Sequence, residues 1–181
     1  PTQKLYLNLG DGSFVDATAD SGLDTSFYAT APVIGDFDDD GRPDVFVAAV
    51  GKNRLFRNLG NGRFEDVTGA AGVAGEDTDW STCGAFFDAD ADGDLDLFVC
   101  NYVEWSLDID LAVDYRLTGI GRAFGPPTNY AGQHNRLYRN DGGGDFTDIS
   151  ESAGIKVADP LSGRPEGKAL AVMPVDINED G

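Results

Sequence analysis

Two short segments rich in aspartate constrain this chain more than any other feature of its sequence. They are residues 36–44 (DFDDDGRPD) and 88–96 (DADADGDLD), and each contains five carboxylates. In both segments acidic residues stand at positions 1, 3, 5 and 9, and glycine stands at position 6. Crowding like charges in this way is unfavourable unless a cation neutralises them. The pattern therefore predicts two loops that each surround a metal ion.

The spacing of the oxygen groups favours calcium over other metals. Carboxylates at alternate positions, a backbone carbonyl at position 7 and a closing carboxylate at position 9 supply the oxygen ligands that Ca²⁺ accepts in flexible loops. Magnesium requires a stricter octahedron, and zinc prefers His and Cys clusters. Position 12 is Val47 or Val99, where an EF-hand requires glutamate. A solvated acidic turn is the plain alternative, and the duplication of the pattern weighs against it.

A second repeat lies between and around the acidic segments. Residues 5–14, 55–64 and 137–146 share a leucine-aromatic start, an asparagine at the fourth position, a glycine-rich turn and a closing phenylalanine. Alternating apolar runs on both sides of such a turn predict a β-hairpin. Each acidic loop also joins two apolar runs. The combined unit of four strands in about 50 residues is typical of a β-propeller blade.

The predicted fold is all-β, with four-stranded antiparallel propeller blades. Residues 1–23 end one blade, 24–73 and 74–155 form two full blades, and 156–181 begin another, with an insertion at 102–133 in the second full blade. A propeller closes its ring with about four to eight blades, so we expect a fragment of a larger propeller. The expected strands are 28–35, 44–50, 53–58, 63–68, 81–87, 95–101, 135–140, 145–150 and 168–175.

These motifs resemble FG-GAP (VCBS) repeats, as found in the propellers of integrin α-subunits. The stretch CNYVEWS at 100–106, followed by NRLYRN at 135–140, is similar to the subgroup that contains cartilage acidic protein and bacterial ASPIC/UnbV proteins. The resemblance implies an extracellular or cell-surface, calcium-loaded propeller of about seven blades. It also implies a role in adhesion or in protein contacts.

The resemblance also implies which residues hold calcium. A third acidic segment at residues 176–181 (DINEDG) begins the same pattern and departs from it, because asparagine replaces its second aspartate and the given sequence ends before positions 7 and 9. The implied ligands are Asp36, Asp38, Asp40, the Arg42 carbonyl and Asp44; Asp88, Asp90, Asp92, the Asp94 carbonyl and Asp96; and, in the third loop, Asp176, Asn178 and Asp180.

The insertion at 102–133 is the least repetitive part of the chain. A connection between the second and third strands of a blade emerges on the face opposite the acidic loops. The insertion carries Trp105, Tyr115, Phe124 and Tyr130. It is either a partner-contact loop or a lid whose aromatic side chains pack on neighbouring blades, since connections of this length are usually functional or disordered.

The two cysteines are expected to face each other across two strands. If the turn of the second loop is centred near Asp92, residues on opposite strands have numbers that sum to about 183–184, which pairs Cys83 with Cys100. The equivalent pair in the preceding blade is Ala31 and Ala48. A disulfide and two buried free thiols both remain open.

Composition limits the function classes. The chain has 32 acidic and 13 basic residues, a net charge of −19. This charge argues against nucleic-acid partners and anionic membranes, and no apolar run is long enough for membrane insertion. The lone His134 has no nucleophile partner in sequence, so we expect no enzyme activity.

Two functions remain open. One is a secreted interaction module with a protein or glycan ligand, whose open blade edges could also self-associate. The other is an accessory propeller of a larger secreted enzyme, such as a carbohydrate-active one.

Overall fold

The computed structural model describes residues 2–177. In this part of the chain the acidic loops and the hairpin repeats belong to a series of antiparallel sheets. Two sheets have four strands and two have two strands. In chain order the elements are β1 (Tyr6–Asn8), β2 (Phe14–Asp16), β3 (Tyr28–Gly35), β4 (Asp44–Val50), β5 (Arg54–Gly60), β6 (Arg63–Asp66), α1 (Thr68–Ala71), β7 (Ser81–Phe87), β8 (Asp96–Asn101), α2 (Leu107–Val113), β9 (Arg116–Leu117), β10 (Gly121–Arg122), a 3₁₀ turn (Pro127–Asn129), β11 (Arg136–Asn140) and β12 (Phe146–Asp148).

The two large sheets have the same topology. The strand orders are β3-β4-β5-β6 and β7-β8-β11-β12, with every neighbouring pair antiparallel. Each strand pairs with the next strand of its own sheet along the chain, as in a propeller blade. The predicted all-β architecture of four-stranded blades is confirmed.

The hydrophobic core lies between these two sheets. It combines Phe46 and Leu55 of the first sheet with Leu97, Val99 and Tyr138 of the second, all of them buried. The first strands of the two sheets, β3 and β7, approach so closely that a Cβ atom added at Gly35 would lie 2.6 Å from the Phe86 ring. The acidic loops are therefore attached to strands that are fixed by shared packing.

The last strand of each large sheet ends earlier than the sequence predicts. Thr68 and Ser150 were expected inside strands, but their hydroxyl oxygens accept the N–H groups of Leu55 and Leu137 at 2.8 and 2.9 Å. These side chains take the place of a backbone carbonyl in the ladder, so β6 ends at Asp66 and β12 at Asp148. In the first sheet, Thr68 then begins the helix α1.

The expected strand at 168–175 is wrong for the described part of the chain, where this segment has no regular secondary structure. A strand needs a ladder of several backbone hydrogen bonds. This segment makes a single backbone hydrogen bond to the sheet, from Ala169 N to Asn101 O at 3.0 Å. Even so, the Thr82 hydroxyl donates to the Ala169 carbonyl at 3.0 Å, as Thr30 donates to Ser81 at 2.7 Å. Residue 169 therefore lies beside the second sheet as Ser81 lies beside the first.

The insertion folds into its own small unit of α2, β9, β10 and the 3₁₀ turn. An isolated bridge between Val103 and Gly132 closes its base. The Ser106 side chain caps α2 by accepting the N–H of Ile109 at 3.2 Å. Among residues 2–177, no helix combines the length and the apolar content needed to cross a lipid bilayer.

Candidate metal-binding loops and the aromatic insertion

The two acidic loops have the same backbone construction. One connects β3 to β4 and the other connects β7 to β8. Gly41 and Gly93 at position 6 have φ angles of +83° and +100°, a conformation that glycine adopts without steric cost. The carboxylate at position 1 stabilises each turn, because Asp36 accepts the N–H of Gly41 at 2.8 Å and Asp88 that of Gly93 at 3.0 Å.

Each loop brings three carboxylates close enough to share one cation. Oxygen atoms of Asp36, Asp38 and Asp40 lie within 4.8 Å of one another, and the same holds for Asp88, Asp90 and Asp96. Two further predicted ligands lie outside these clusters. They are Asp44 in the first loop and Asp92 in the second, where Asp92 Oδ1 accepts the N–H of Asp94 at 2.9 Å.

The position-9 aspartates join the loops to the third strand of each sheet. Buried Asp44 accepts the N–H groups of Asn58 at 2.7 Å and of Phe37 at 3.1 Å. Buried Asp96 accepts those of Asn140 at 2.8 Å and of Ala89 at 3.0 Å. Burial raises the pKa of Asp44 to about 6 and also raises the pKa of Asp96. A cation beside these carboxylates would favour their charged form.

Sequence reasoning did not assign a role to two asparagines that hold the loops in place. Asn58 donates its amide to the Pro43 carbonyl at 2.8 Å, and Asn140 donates to the Leu95 carbonyl at 3.2 Å, both at loop position 8. Their side-chain oxygens accept N–H groups of their own hairpin turns. The signal was present, because asparagine recurs at the fourth position of every hairpin repeat, including Asn8.

The charges around the first loop are partly compensated. Arg57 Nε lies 2.9 Å from Asp38 Oδ2, and Arg42 forms an ion pair with Asp40. The other oxygen of Asp38, Oδ1, is buried and has no hydrogen-bond partner. A buried oxygen without a partner is costly unless a further group satisfies it. Together with an all-oxygen donor set, it fits a hard divalent cation such as calcium.

The remaining predicted ligands are the two carbonyls at position 7 and the residues of the third loop. Within residues 2–177, the carbonyls of Arg42 and Asp94 at position 7 accept no hydrogen bond from protein groups, so both are available to a cation. Asp176 is exposed. Asn178 and Asp180 of the third loop lie outside the described residues.

The cysteine register is confirmed, with Cys83 directly opposite Cys100 and Ala31 directly opposite Ala48. Both cysteines are free thiols in the structure, with Cys100 buried and Cys83 half-buried, so the second of the two alternatives is met only in part. Burial raises the pKa of Cys100 to about 12, and a hydrogen bond with Cys83 adds to this effect. The pair therefore behaves as small apolar side chains in the sheet.

The aromatic residues of the insertion divide into two groups. The Trp105 ring lies edge-on to Trp80 with centroids 6.0 Å apart, and Phe124 and Tyr130 line the same cavity of about 320 Å³. Tyr115 is not part of that lining. Trp105 packs against Trp80, which immediately precedes β7 and forms an isolated bridge with Val50 of the first sheet, so the lid and the partner-contact interpretations both stay open. Phe124 is 85% exposed at the mouth of the cavity.

An internal ion pair fixes this cavity wall. The buried carboxylate of Asp110 accepts the Tyr130 hydroxyl at 2.6 Å and pairs with Arg122. The hydrogen bond from Tyr130, and then Arg122, lower the pKa of Asp110. This ion pair therefore helps to hold the shape of the insertion.

Comparison with known families agrees with the geometry. A family profile described as FG-GAP-like repeat matches residues 2–47 and 36–99, which together exceed half of the chain. Both matched segments include the first acidic loop, and the second match extends through the second loop. No curated protein matches the chain. On this match, supported by the two four-stranded sheets, the chain belongs to the FG-GAP-like repeat family.

Proposed function

We propose that this chain is an extracellular, calcium-stabilised β-propeller module of the integrin-α type, related to the subgroup of cartilage acidic protein and bacterial ASPIC/UnbV proteins. In this proposal the chain binds a protein or glycan and catalyses no reaction. The observation that carries the proposal is the pair of matching loops, each with three carboxylates whose oxygens lie within 4.8 Å. Metal-ligand spacing accounts for the acidic residues without an acid–base role.

Calcium would have a structural role. The candidate ligands are Asp36, Asp38 and Asp40 in one loop and Asp88, Asp90 and Asp96 in the other. Each loop connects the first two strands of a sheet, and its position-9 aspartate connects it to the third strand. A bound cation would remove the repulsion among the carboxylates and so stabilise three strands at once.

Thermal unfolding tests the calcium proposal. Ligand binding to the folded state stabilises it by about 2.7 kcal/mol per site at a hundredfold excess over the Kd. Extracellular sites often have a Kd of about 10⁻⁴–10⁻³ M, so millimolar calcium is appropriate. We expect a Tm several degrees higher in calcium than in EGTA. A double variant, Asp38→Asn with Asp90→Asn, should lose this response, whereas Asp24→Asn, an exposed control outside the loops, should keep it. An identical Tm in calcium and EGTA would refute the proposal.

The proposed partner face lies opposite the acidic loops. The insertion leaves β8 at the end remote from the β7–β8 loop and returns at the start of β11. Its aromatic cavity, with Phe124 exposed at the mouth, offers apolar area for a ligand. Exposed aromatic groups of this kind are enriched at binding sites.

Arrays of glycans and of extracellular-matrix proteins test the partner face. We expect binding by the labelled chain that Phe124→Ala weakens and that Leu161→Ala, which truncates an apolar residue 96% exposed outside the cavity, leaves unchanged. Equal binding by both variants would place the contact elsewhere.

Self-association is a second part of the proposed interactions. The hairpin of β1 and β2 exposes Tyr6 and Phe14, and the edge strand β3 exposes Tyr28 and Ile34. Open edges and apolar faces of this kind favour pairing with another copy. We expect the mass measured by light scattering to rise with protein concentration; a constant monomer mass would contradict this.

A further inference from the structure

The two acidic loops contain the same number of carboxylates but different counter-charges. In the first loop, Arg57 lies beside Asp38 and Arg42 pairs with Asp40. In the second loop, no basic side chain of residues 2–177 lies within ion-pair distance of any of the five aspartates. Two guanidinium groups thus offset the charge of the first loop, and none offsets that of the second.

A single position in the hairpin repeat explains where the arginines lie. Arg57 and Arg139 occupy the same place in the two repeats, LFRN and LYRN. Two residues later the first repeat has Leu59 and the second has Asp141. Asp141 accepts Arg139 Nε at 2.8 Å and lies 2.6 Å from its Nη2. Arg139 is therefore held outside the second loop.

Arg139 nevertheless remains near the second loop. Its pKa is raised chiefly by the hydrogen bond and charge of Asp141, and to a smaller extent by the charges of Asp90 and Asp96. Without the acid at position 141, the guanidinium would be free to turn towards those carboxylates.

Arg57 has no acid at position 59 and lies against the first loop instead. Glu65 is its partner in the β5–β6 register, but the ion pair is formed with Asp38. The Arg57 guanidinium also stands 5.9 Å from the centroid of the Phe37 ring. Arg57 Nε makes no aligned hydrogen bond, so the arginine acts mainly as a positive charge beside the cluster.

We infer that the two loops are unequal calcium sites, with loop 88–96 binding tightly and loop 36–44 weakened by Arg57, whose position follows from Leu59 where the second repeat has Asp141. This inference rests on the proposed function, in which both loops bind calcium. A positive charge within a few ångströms opposes a divalent cation. The second loop would fill first, and the first loop would fill only as calcium rises further.

Single-loop variants measure the two sites separately. Asp90→Asn disables loop 88–96 and Asp38→Asn disables loop 36–44, both in the full chain. Titration with calcium chloride by calorimetry should show that the Asp38→Asn protein, which keeps loop 88–96, binds roughly tenfold tighter, or about 1.4 kcal/mol, than the Asp90→Asn protein.

A charge swap then tests the role of the arginine. In the Asp90→Asn background, Leu59→Asp should draw Arg57 away from loop 36–44 and tighten calcium binding several-fold. The control Leu59→Asn, whose side chain has the shape of aspartate without its charge, should have little effect. Leu59 is 48% exposed, so the substitution does not disturb the core. In the Asp38→Asn background, Asp141→Leu should weaken binding by a similar factor.

A double-mutant cycle separates the arginine from the added charge itself. With Arg57→Gln already present, Leu59→Asp should no longer tighten binding beyond the small effect of a distant carboxylate. Equal affinities for the two loops, or the same gain from Leu59→Asp with and without Arg57, would overturn the inference while the proposed function stands. Absence of calcium binding at both loops would overturn both.

Discussion

Asn140 on β11 of the second sheet donates its side-chain amide to the carbonyl of Phe37, in the acidic loop of the first sheet, at 2.8 Å. Asn140 is completely buried, and the same amide also reaches the Leu95 carbonyl of its own loop at 3.2 Å. One side chain therefore connects both acidic loops to a single strand. This connection couples the geometry of the two candidate metal sites to the packing between the sheets.

Asn140→Ala should destabilise the fold more than Asn58→Ala. Removing Asn140 leaves buried carbonyls and N–H groups without partners, which costs about 1–3 kcal/mol. Asn58 is half-buried and its amide serves its own loop, so we expect a smaller loss for this matched position. Urea unfolding followed by circular dichroism measures both free energies. Equal losses would contradict the bridging role of Asn140.

Gly144→Ala should be more destabilising than Gly143→Ala. Both glycines have a positive φ, so both variants incur the same kind of backbone strain. At Gly144, however, an added Cβ would overlap the Phe37 ring, whereas the space at Gly143 is open. Overpacking of this kind costs about 1–3 kcal/mol. The free energy of unfolding should show this difference, and similar values for the two variants would mean that Phe37 is not wedged against this turn.

Asp44 should make the metal-free protein less stable as pH rises. Its pKa is about 6 in the fold because of burial, above the value of about 3.9 in an unfolded chain. The folded state therefore binds this proton more tightly, and the contribution present below about pH 4 is lost as pH rises through about 6.

The variant Asp44→Asn isolates this contribution because it cannot titrate. In metal-free buffer, the unfolding free energy of Asp44→Asn relative to wild type should rise between pH 4 and 7 by an amount on the order of 2 kcal/mol. If the difference in unfolding free energy between Asp44→Asn and wild type does not change with pH, the Asp44 carboxyl of the wild type titrates as it does in an unfolded chain.

Cys100 should resist alkylation until the protein unfolds. The thiolate is the reactive form, and a pKa of about 12 leaves almost none of it at pH 8. Unreduced, denatured protein should gain two alkyl groups by intact mass, and native Cys83→Ala protein should gain none over the same period. Denatured, unreduced wild type that gains no alkyl group would contain a disulfide between Cys83 and Cys100.

The sequence by itself determined the local units of this fold. The acidic loops, the hairpins and the pairing of Cys83 with Cys100 all depend on residues close in the chain, where period-two alternation and the turn glycines fix geometry. The all-β architecture and the two clusters of carboxylates follow from those units. This is why their positions could be predicted with no knowledge of the partner sheet.

Tertiary structure decided which long side chains serve which loop. Arg139 is held by Asp141, two residues along its own hairpin, whereas Arg57 has Leu59 at that place and lies against Asp38 of an acidic loop. Asp38 is distant from Arg57 in sequence and comes within its reach only because β4 pairs with β5. The same reason explains Asn140, whose partner Phe37 is distant in sequence and becomes a neighbour only when the two sheets pack.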